Sequence, residues 1–151
     1  MWHAILDSEA RQRCWKVIGE IERCLIERAP SDTEPEGTRS PELANGTAGE
    51  ALFFAYLDAA RPDDETASRA LALLNHSISA LAEGELLPSL FSGYSGIGWV
   101  VEHLTRELFE GDEALCCEID DAILGILNRP EESLPFELIG GLVGRTAATS
   151  G

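Results

Sequence analysis

Three copies of one short pattern constrain the fold of this chain more than any property of its composition. They are Pro41-Glu42-Leu43-Ala44-Asn45-Gly46-Thr47-Ala48-Gly49, Pro88-Ser89-Leu90-Phe91-Ser92-Gly93-Tyr94-Ser95-Gly96 and Pro135-Phe136-Glu137-Leu138-Ile139-Gly140-Gly141-Leu142-Val143-Gly144. In each, a leucine stands three positions before the first glycine of a Gly-x-x-Gly, with a proline five or six positions before it. The first glycines, Gly46, Gly93 and Gly141, recur at intervals of 47 and 48 residues. A single Gly-x-x-Gly carries little information. Three in near-constant register mark a chain assembled from repeats.

The stretches between the copies have helical periodicity. Cys14, Ile18, Ile21 and Leu25 step by three or four, as do Ala67, Leu71, Leu74, Ile78 and Leu81, and Cys116, Ile119, Ile123 and Ile126. Each series predicts one apolar stripe on a helix that is wet on its other side. The stretches after the glycines differ. Ala48, Ala51, Leu52, Phe53, Phe54, Ala55, Tyr56 and Leu57 are apolar nearly all round, and Ile97, Trp99, Val100, Val101, Leu104, Leu108 and Phe109 nearly so. Such helices need cover on most sides. Each repeat therefore predicts an amphipathic outer helix paired with a mostly buried inner one, with Pro30, Pro62 and Pro130 between elements. Residues 31–40 predict a polar loop joining the first outer helix to the first inner one.

The glycines open the inner helices. Asn45 and Ser92 stand immediately before Gly46 and Gly93 and are good N-cap residues, while glycine permits unusual dihedrals and close backbone approach. Gly46, Gly49, Gly93, Gly96, Gly98, Gly141 and Gly144 are thus read as structural. A phosphate cradle is the alternative, but no Lys-Ser/Thr follows any copy and no strand precedes one.

Other residues carry weaker signals. Glu102 and His103 lie on the second inner helix and are the candidates for facing a central cavity, with a histidine satisfied by the next inner helix as the plainer alternative. His76 is placed on an outer surface, Glu50 in the first turn of its helix, where the dipole favours a carboxylate, and Tyr94 and Trp99 in packing. Asp112, Glu113, Glu118, Asp120 and Asp121 lack the spacing and central glycine of a calcium loop, so they read as a solvated face.

Charge and cysteine content narrow the function classes. The formal net charge of −16 opposes binding to nucleic acid or to an anionic membrane, and is compatible with a cationic peptide partner. No apolar stretch approaches a membrane span, and the N-terminus has no basic n-region before an apolar run. Cys14, Cys24, Cys116 and Cys117 show no Cys-x-x-Cys spacing, which predicts reduced, mostly buried thiols in a cytoplasmic chain.

On these residues, Leu43 to Leu57 and above all Ser89-Leu90-Phe91-Ser92-Gly93-Tyr94-Ser95-Gly96-Ile97-Gly98-Trp99, the chain resembles the lanthionine synthetase C-like family, over about residues 10–144. The resemblance implies an all-α fold, here part of an α/α toroid of two concentric helix rings. It also implies the family's chemistry, a zinc-dependent addition of peptide cysteine thiols to dehydrated serine or threonine, as in lantibiotic biosynthesis; eukaryotic relatives bind glutathione. The family's zinc ligands are a lone cysteine and a later Cys-His pair. No Cys-His dipeptide occurs in the chain, so no catalytic or metal residue carries over, and zinc is expected only in a full-length family member.

Residues 1–144 are accordingly read as the N-terminal half of such a toroid. Arg145 to Gly151 are read as a non-family tail left by truncation or frameshift, with a natural short paralogue as the rival reading. Half a ring predicts exposed apolar inner helices and self-association. Two functions follow: a fragment of a thiol-adding cyclase, inactive alone, or a non-catalytic repeat module binding a peptide or partner protein. A carbohydrate-active α/α toroid is disfavoured, because Glu50 and Glu102 do not form the paired carboxylates it needs.

Overall fold

The computed structural model describes residues 7–28, 39–82 and 89–108, and every regular element among them is an α-helix. Helix α1 spans Ser8–Glu27, α2 Thr47–Ala60, α3 Asp64–Ala82 and α4 Tyr94–Glu107. The third glycine motif with Gly141 and Gly144, the helix read around Cys116 and Cys117, and the tail after Gly144 lie outside the described residues. The chain divides into two units, residues 1–36 and 37–151.

In the first unit, α1 starts at Asp7, whose carboxylate accepts the Ala10 N–H at 2.7 Å. That bond satisfies one of the donors a helix start leaves open. No residue of α1 is buried, and Trp15, Val17, Ile21 and Ile26 are all exposed. The expected stripe is only half realised, with Ile18 and Leu25 half-buried but Cys14 and Ile21 exposed. The expectation of buried thiols is therefore corrected for Cys14 and Cys24, both exposed. Among the described residues α1 is the one helix of its unit.

In the second unit, α2 packs against both α3 and α4. Its core comprises Ala48, Ala51, Phe54, Ala55 and Leu57 from α2, Ala70, Leu73 and Leu74 from α3, and Ile97, Val100, Val101 and Leu104 from α4. The Phe53 and Phe54 rings are nearly perpendicular with centroids 5.3 Å apart, and the Arg69 guanidinium lies 5.6 Å from the Phe54 ring centre. Tyr56 departs from the expected all-round burial of α2, being 46% exposed.

The face that α3 turns inward differs from the stripe read in sequence. Thr66, Ala70, Leu73, Leu74 and Ser77 are buried, whereas Leu71 is 47% exposed and Ala67, Ile78 and Leu81 are half-buried. A buried hydroxyl pair accounts for the rotation. Ser77 Oγ donates to the Leu73 carbonyl at 3.2 Å and lies 2.7 Å from Thr47 Oγ1, which leaves Thr47 as the donor of the second bond. A hydropathy count places serine and threonine outside; once satisfied by each other they belong to the core.

Asp63 starts α3 in the same manner as Asp7 starts α1. Its carboxylate accepts the Thr66 N–H at 3.0 Å and the Thr66 hydroxyl at 2.9 Å. The backbone bond first, then the hydroxyl, holds its carboxyl below the ordinary aspartate value.

The N-termini of α2 and α4 are built differently from the sequence expectation. Gly46 and Gly93, not Asn45 and Ser92, occupy the N-cap positions, and neither helix has a side-chain cap. Their φ angles of −131° and −155° are extended backbone that any residue adopts, so the motif does not use unusual dihedrals. It uses space. A Cβ on Gly49 would overlap the Leu43 carbonyl oxygen, and one on Gly96 would overlap the Leu90 carbonyl oxygen, the same contact one repeat later. A Cβ on Gly46 would overlap the Ser40 carbonyl oxygen and the Glu42 nitrogen. The backbone thus folds over the helix start and supplies the cap itself: the Thr47 N–H donates to the Ser40 carbonyl at 2.9 Å. Ser92 is held in its turn instead, its N–H and hydroxyl both reaching Ser89 Oγ, at 3.3 and 3.1 Å.

The two turns also meet. The Ala44 N–H donates to the Phe91 carbonyl at 2.9 Å, and a Cβ on Gly96 would come within 3.0 Å of the Leu43 Cβ. Ala44 and Phe91 hold the same place in their copies, two residues before the first glycine. Arg39 ties the first turn to both neighbouring helices, through an ion pair with Glu50 on α2 and a carbonyl that accepts His76 Nε2–H from α3 at 3.3 Å. His76 is half-buried there, not on an open surface as its sequence position suggests.

Gly49→Ala and Gly96→Ala should each cost about 3 kcal/mol of stability in denaturant unfolding, because backbone must move to admit the methyl group. Gly19→Ala, with nothing within 4 Å of its would-be Cβ, should be neutral or stabilise α1 by up to about 1 kcal/mol. Ser77→Ala should cost about 1–3 kcal/mol by stranding the Thr47 hydroxyl. Thr47→Val, which leaves Ser77 bonded to Leu73, should cost less than about 1 kcal/mol. Equal costs for the two would show that the pair is not asymmetric.

Candidate functional site

Helix α4 has two faces of different character. Ile97, Val100, Val101 and Leu104 form the buried one. Trp99, Glu102, His103 and Arg106 stand at i, i+3, i+4 and i+7 and therefore share the opposite face. The first three are half-buried and Arg106 is exposed.

The His103 ring stacks on the Trp99 indole with centroids 4.9 Å apart and planes 8° from parallel. Its Nε2 lies 2.6 Å from the Tyr56 hydroxyl, and the Tyr56 and His103 rings are 5.8 Å apart. His103 thus has a partner on α2, while the next inner helix, expected to satisfy it, lies outside the described residues. Beside it, Glu102 faces Arg106 at 3.8 Å across one turn, with side-chain exposures of 29% and 58%. Among the described residues this is the place where aromatic, titratable and charged side chains from two helices converge.

The arrangement holds two rings in fixed positions by stacking and one hydrogen bond, with much of the Tyr56 ring still open. Rigid aromatic groups with a polar tip and little rotamer freedom are efficient contact surfaces for peptides and other amphipathic ligands.

Of the residues singled out in sequence, Glu102 and His103 are brought together here. Gly46, Gly49 and Gly96 stand at the helix starts, where backbone fills the space of a Cβ, and Gly93 and Gly98 are buried at the N-cap and within α4. Glu50 is in the first turn of α2, as read, and engages Arg39 there. Sequence reasoning missed Tyr56, counted among the apolar residues of α2; Trp99, read as packing, stacks on His103. The spacing of four between Trp99 and His103 was a usable signal for their stack. Nothing in one dimension signals the register that lays Tyr56 across them.

A metal centre is a different matter. Cys14 and Cys24 are exposed on α1, His76 is engaged by Arg39, and His103 by Tyr56. Among the described residues no three of histidine, cysteine, aspartate and glutamate come together to hold an ion. No described helix is long and apolar enough to cross a membrane.

Comparison with known proteins places the fold. A family model described as lanthionine synthetase C-like protein matches residues 37–149. A solved structure named nisin cyclase is similar with a TM-score of 0.53 at 18% sequence identity, over 94% of this chain and 35% of that one. At that identity the likeness is one of fold, and the chain spans 35% of the length of its structural neighbour. No curated protein matches the chain.

Because the bond from Tyr56 to His103 lies on an exposed face, Tyr56→Phe should lower stability by no more than about 1 kcal/mol. Ile97→Ala, on the fully buried face of α4 and opposite His103, should cost about 2–5 kcal/mol. Denaturant titration of the two variants checks the division of α4 into a face for stability and a face free for function.

Proposed function

The chain belongs to the lanthionine synthetase C-like family, and from that premise we propose that it is part of a peptide-modifying protein of the cyclase kind, contributing a peptide-contacting wall. The family match over residues 37–149 carries this reading. The ordered Tyr56–His103–Trp99 group supports it, since it offers ring faces and a polar edge on the side of α4 turned from its core.

The chemistry expected of the family adds a cysteine thiol across the carbon–carbon double bond of a dehydrated serine or threonine. A sulfur–carbon bond forms at Cβ, and Cα takes up a proton. The reaction needs a thiolate and a proton donor. Zinc is the group that would supply the thiolate, and the described residues do not fit it: their cysteines stand on a helix of the other unit and their histidines are engaged elsewhere. On this reading the 151-residue chain binds peptide and does not itself close thioether rings.

A second reading, a non-catalytic repeat module for a peptide or protein partner, draws on the same face of α4. The two readings differ in whether thiol-adding chemistry is restored when the chain joins the remainder of a family protein. The test combines metal analysis of the purified chain with a free-thiol assay on a dehydrated, cysteine-containing peptide. The expected result is no stoichiometric zinc and no thiol consumption above the uncatalysed rate, with both appearing in a full-length family member that contains this segment. Stoichiometric zinc and ring closure by the chain alone would contradict the proposal.

A further inference from the structure

We propose that Tyr56, Trp99 and Glu102 form a subsite for a lysine or arginine side chain of the bound peptide. The inference rests on the peptide-contacting reading above and specifies which residue the wall selects. Three observations converge on it.

The first is ring geometry. Tyr56 is 46% exposed, and Trp99 is half-buried with His103 stacked on one of its faces. Aromatic faces carry negative potential and attract ammonium and guanidinium groups, tryptophan most strongly. Both rings are held before any ligand arrives, Tyr56 by its 2.6 Å bond to His103 and Trp99 by the stack. Binding therefore loses little side-chain freedom.

The second is the carboxylate. Glu102 directly precedes His103 and stands three residues, about one helical turn, after Trp99 on the same side of α4, where it faces Arg106 at 3.8 Å. That pair is long, lies within one helix, and involves an arginine side chain that is 58% exposed. Such pairs contribute little, so an incoming cation can replace Arg106 at small cost. The third is the field. With a net charge of −16 the chain attracts cations over distance and repels acidic segments. A carboxylate ligand would meet Glu102 and that field together. A neutral apolar side chain would cover Glu102 without satisfying it.

The experiment uses the full chain and dye-labelled, end-capped peptides identical except at one position, occupied by lysine, arginine, norleucine or glutamate, read by fluorescence anisotropy. Lysine and arginine peptides should bind about tenfold tighter than the norleucine peptide, with the glutamate peptide weakest. Added salt and Glu102→Gln should each reduce the lysine advantage several-fold, and Tyr56→Ala should weaken all the peptides. If norleucine matches lysine while Tyr56→Ala still abolishes binding, the charge preference is overturned and the peptide-contacting wall stands. If Tyr56→Ala leaves every affinity unchanged, both are overturned. Circular dichroism of each variant confirms that the helices persist.

Discussion

The described part of the second unit depends on carbonyl oxygens occupying the space where two glycines lack a Cβ. Leu43 places its carbonyl against Gly49, and Leu90 places its own against Gly96, six residues along in each case. This contact folds the preceding turn back over the helix start, which lets main-chain carbonyls take the place of a capping side chain. It also explains the motif as a unit: the leucine three positions before the first glycine is the residue whose carbonyl meets the second. The turns then join to each other through Ala44 and Phe91, at equivalent places in consecutive copies. A repeat protein is held together by such nearest-neighbour contacts, and here one of them is a backbone bond that no side-chain substitution removes directly.

Between these turns the helices pack by a core of small and aliphatic residues, with one polar insertion. The Thr47–Ser77 pair sits where α2 begins and α3 approaches its end, and Arg39 bridges the same two helices through Glu50 and His76. Two satisfied polar contacts therefore fix how far α3 is rotated, while Ala70, Leu73 and Leu74 fill the interface. Buried polar groups of this kind add specificity more than net stability, because their alternative is an unsatisfied hydroxyl.

Much of this was legible in the sequence, for identifiable reasons. Helical periodicity and the three glycine motifs announced an all-α repeat, and the family resemblance rested on residues that the structure places at helix starts. The spacing between Leu43 and Gly49 holds the close backbone approach expected of glycine, while Gly46 needs none of the unusual dihedrals expected beside it. The inward face of α3 was misread by about one position because Ser77 and Thr66 count as polar until their partners are known. α1 was read as packed because periodicity records a stripe and not whether anything covers it. At the candidate site, Glu102 and His103 were visible as polar interruptions of an apolar helix, whereas Tyr56 joined them only through the register between α2 and α4. Local chemistry travels along the chain and can be read there; pairing between helices cannot.

The same division governs function. The family assignment rests on residues that build the scaffold, and the aromatic face on α4 is a feature of this chain's own side chains laid on it. That face is only as well placed as the turns that set α4 beside α2. Amide hydrogen exchange at Ala44 tests this dependence most directly. Ala44 is an exposed turn residue, yet its N–H is bonded to the Phe91 carbonyl at 2.9 Å. The turn-to-turn bond predicts that this amide exchanges as slowly as those in the core of α2 and α4. Exchange at the rate of an open loop would contradict the account.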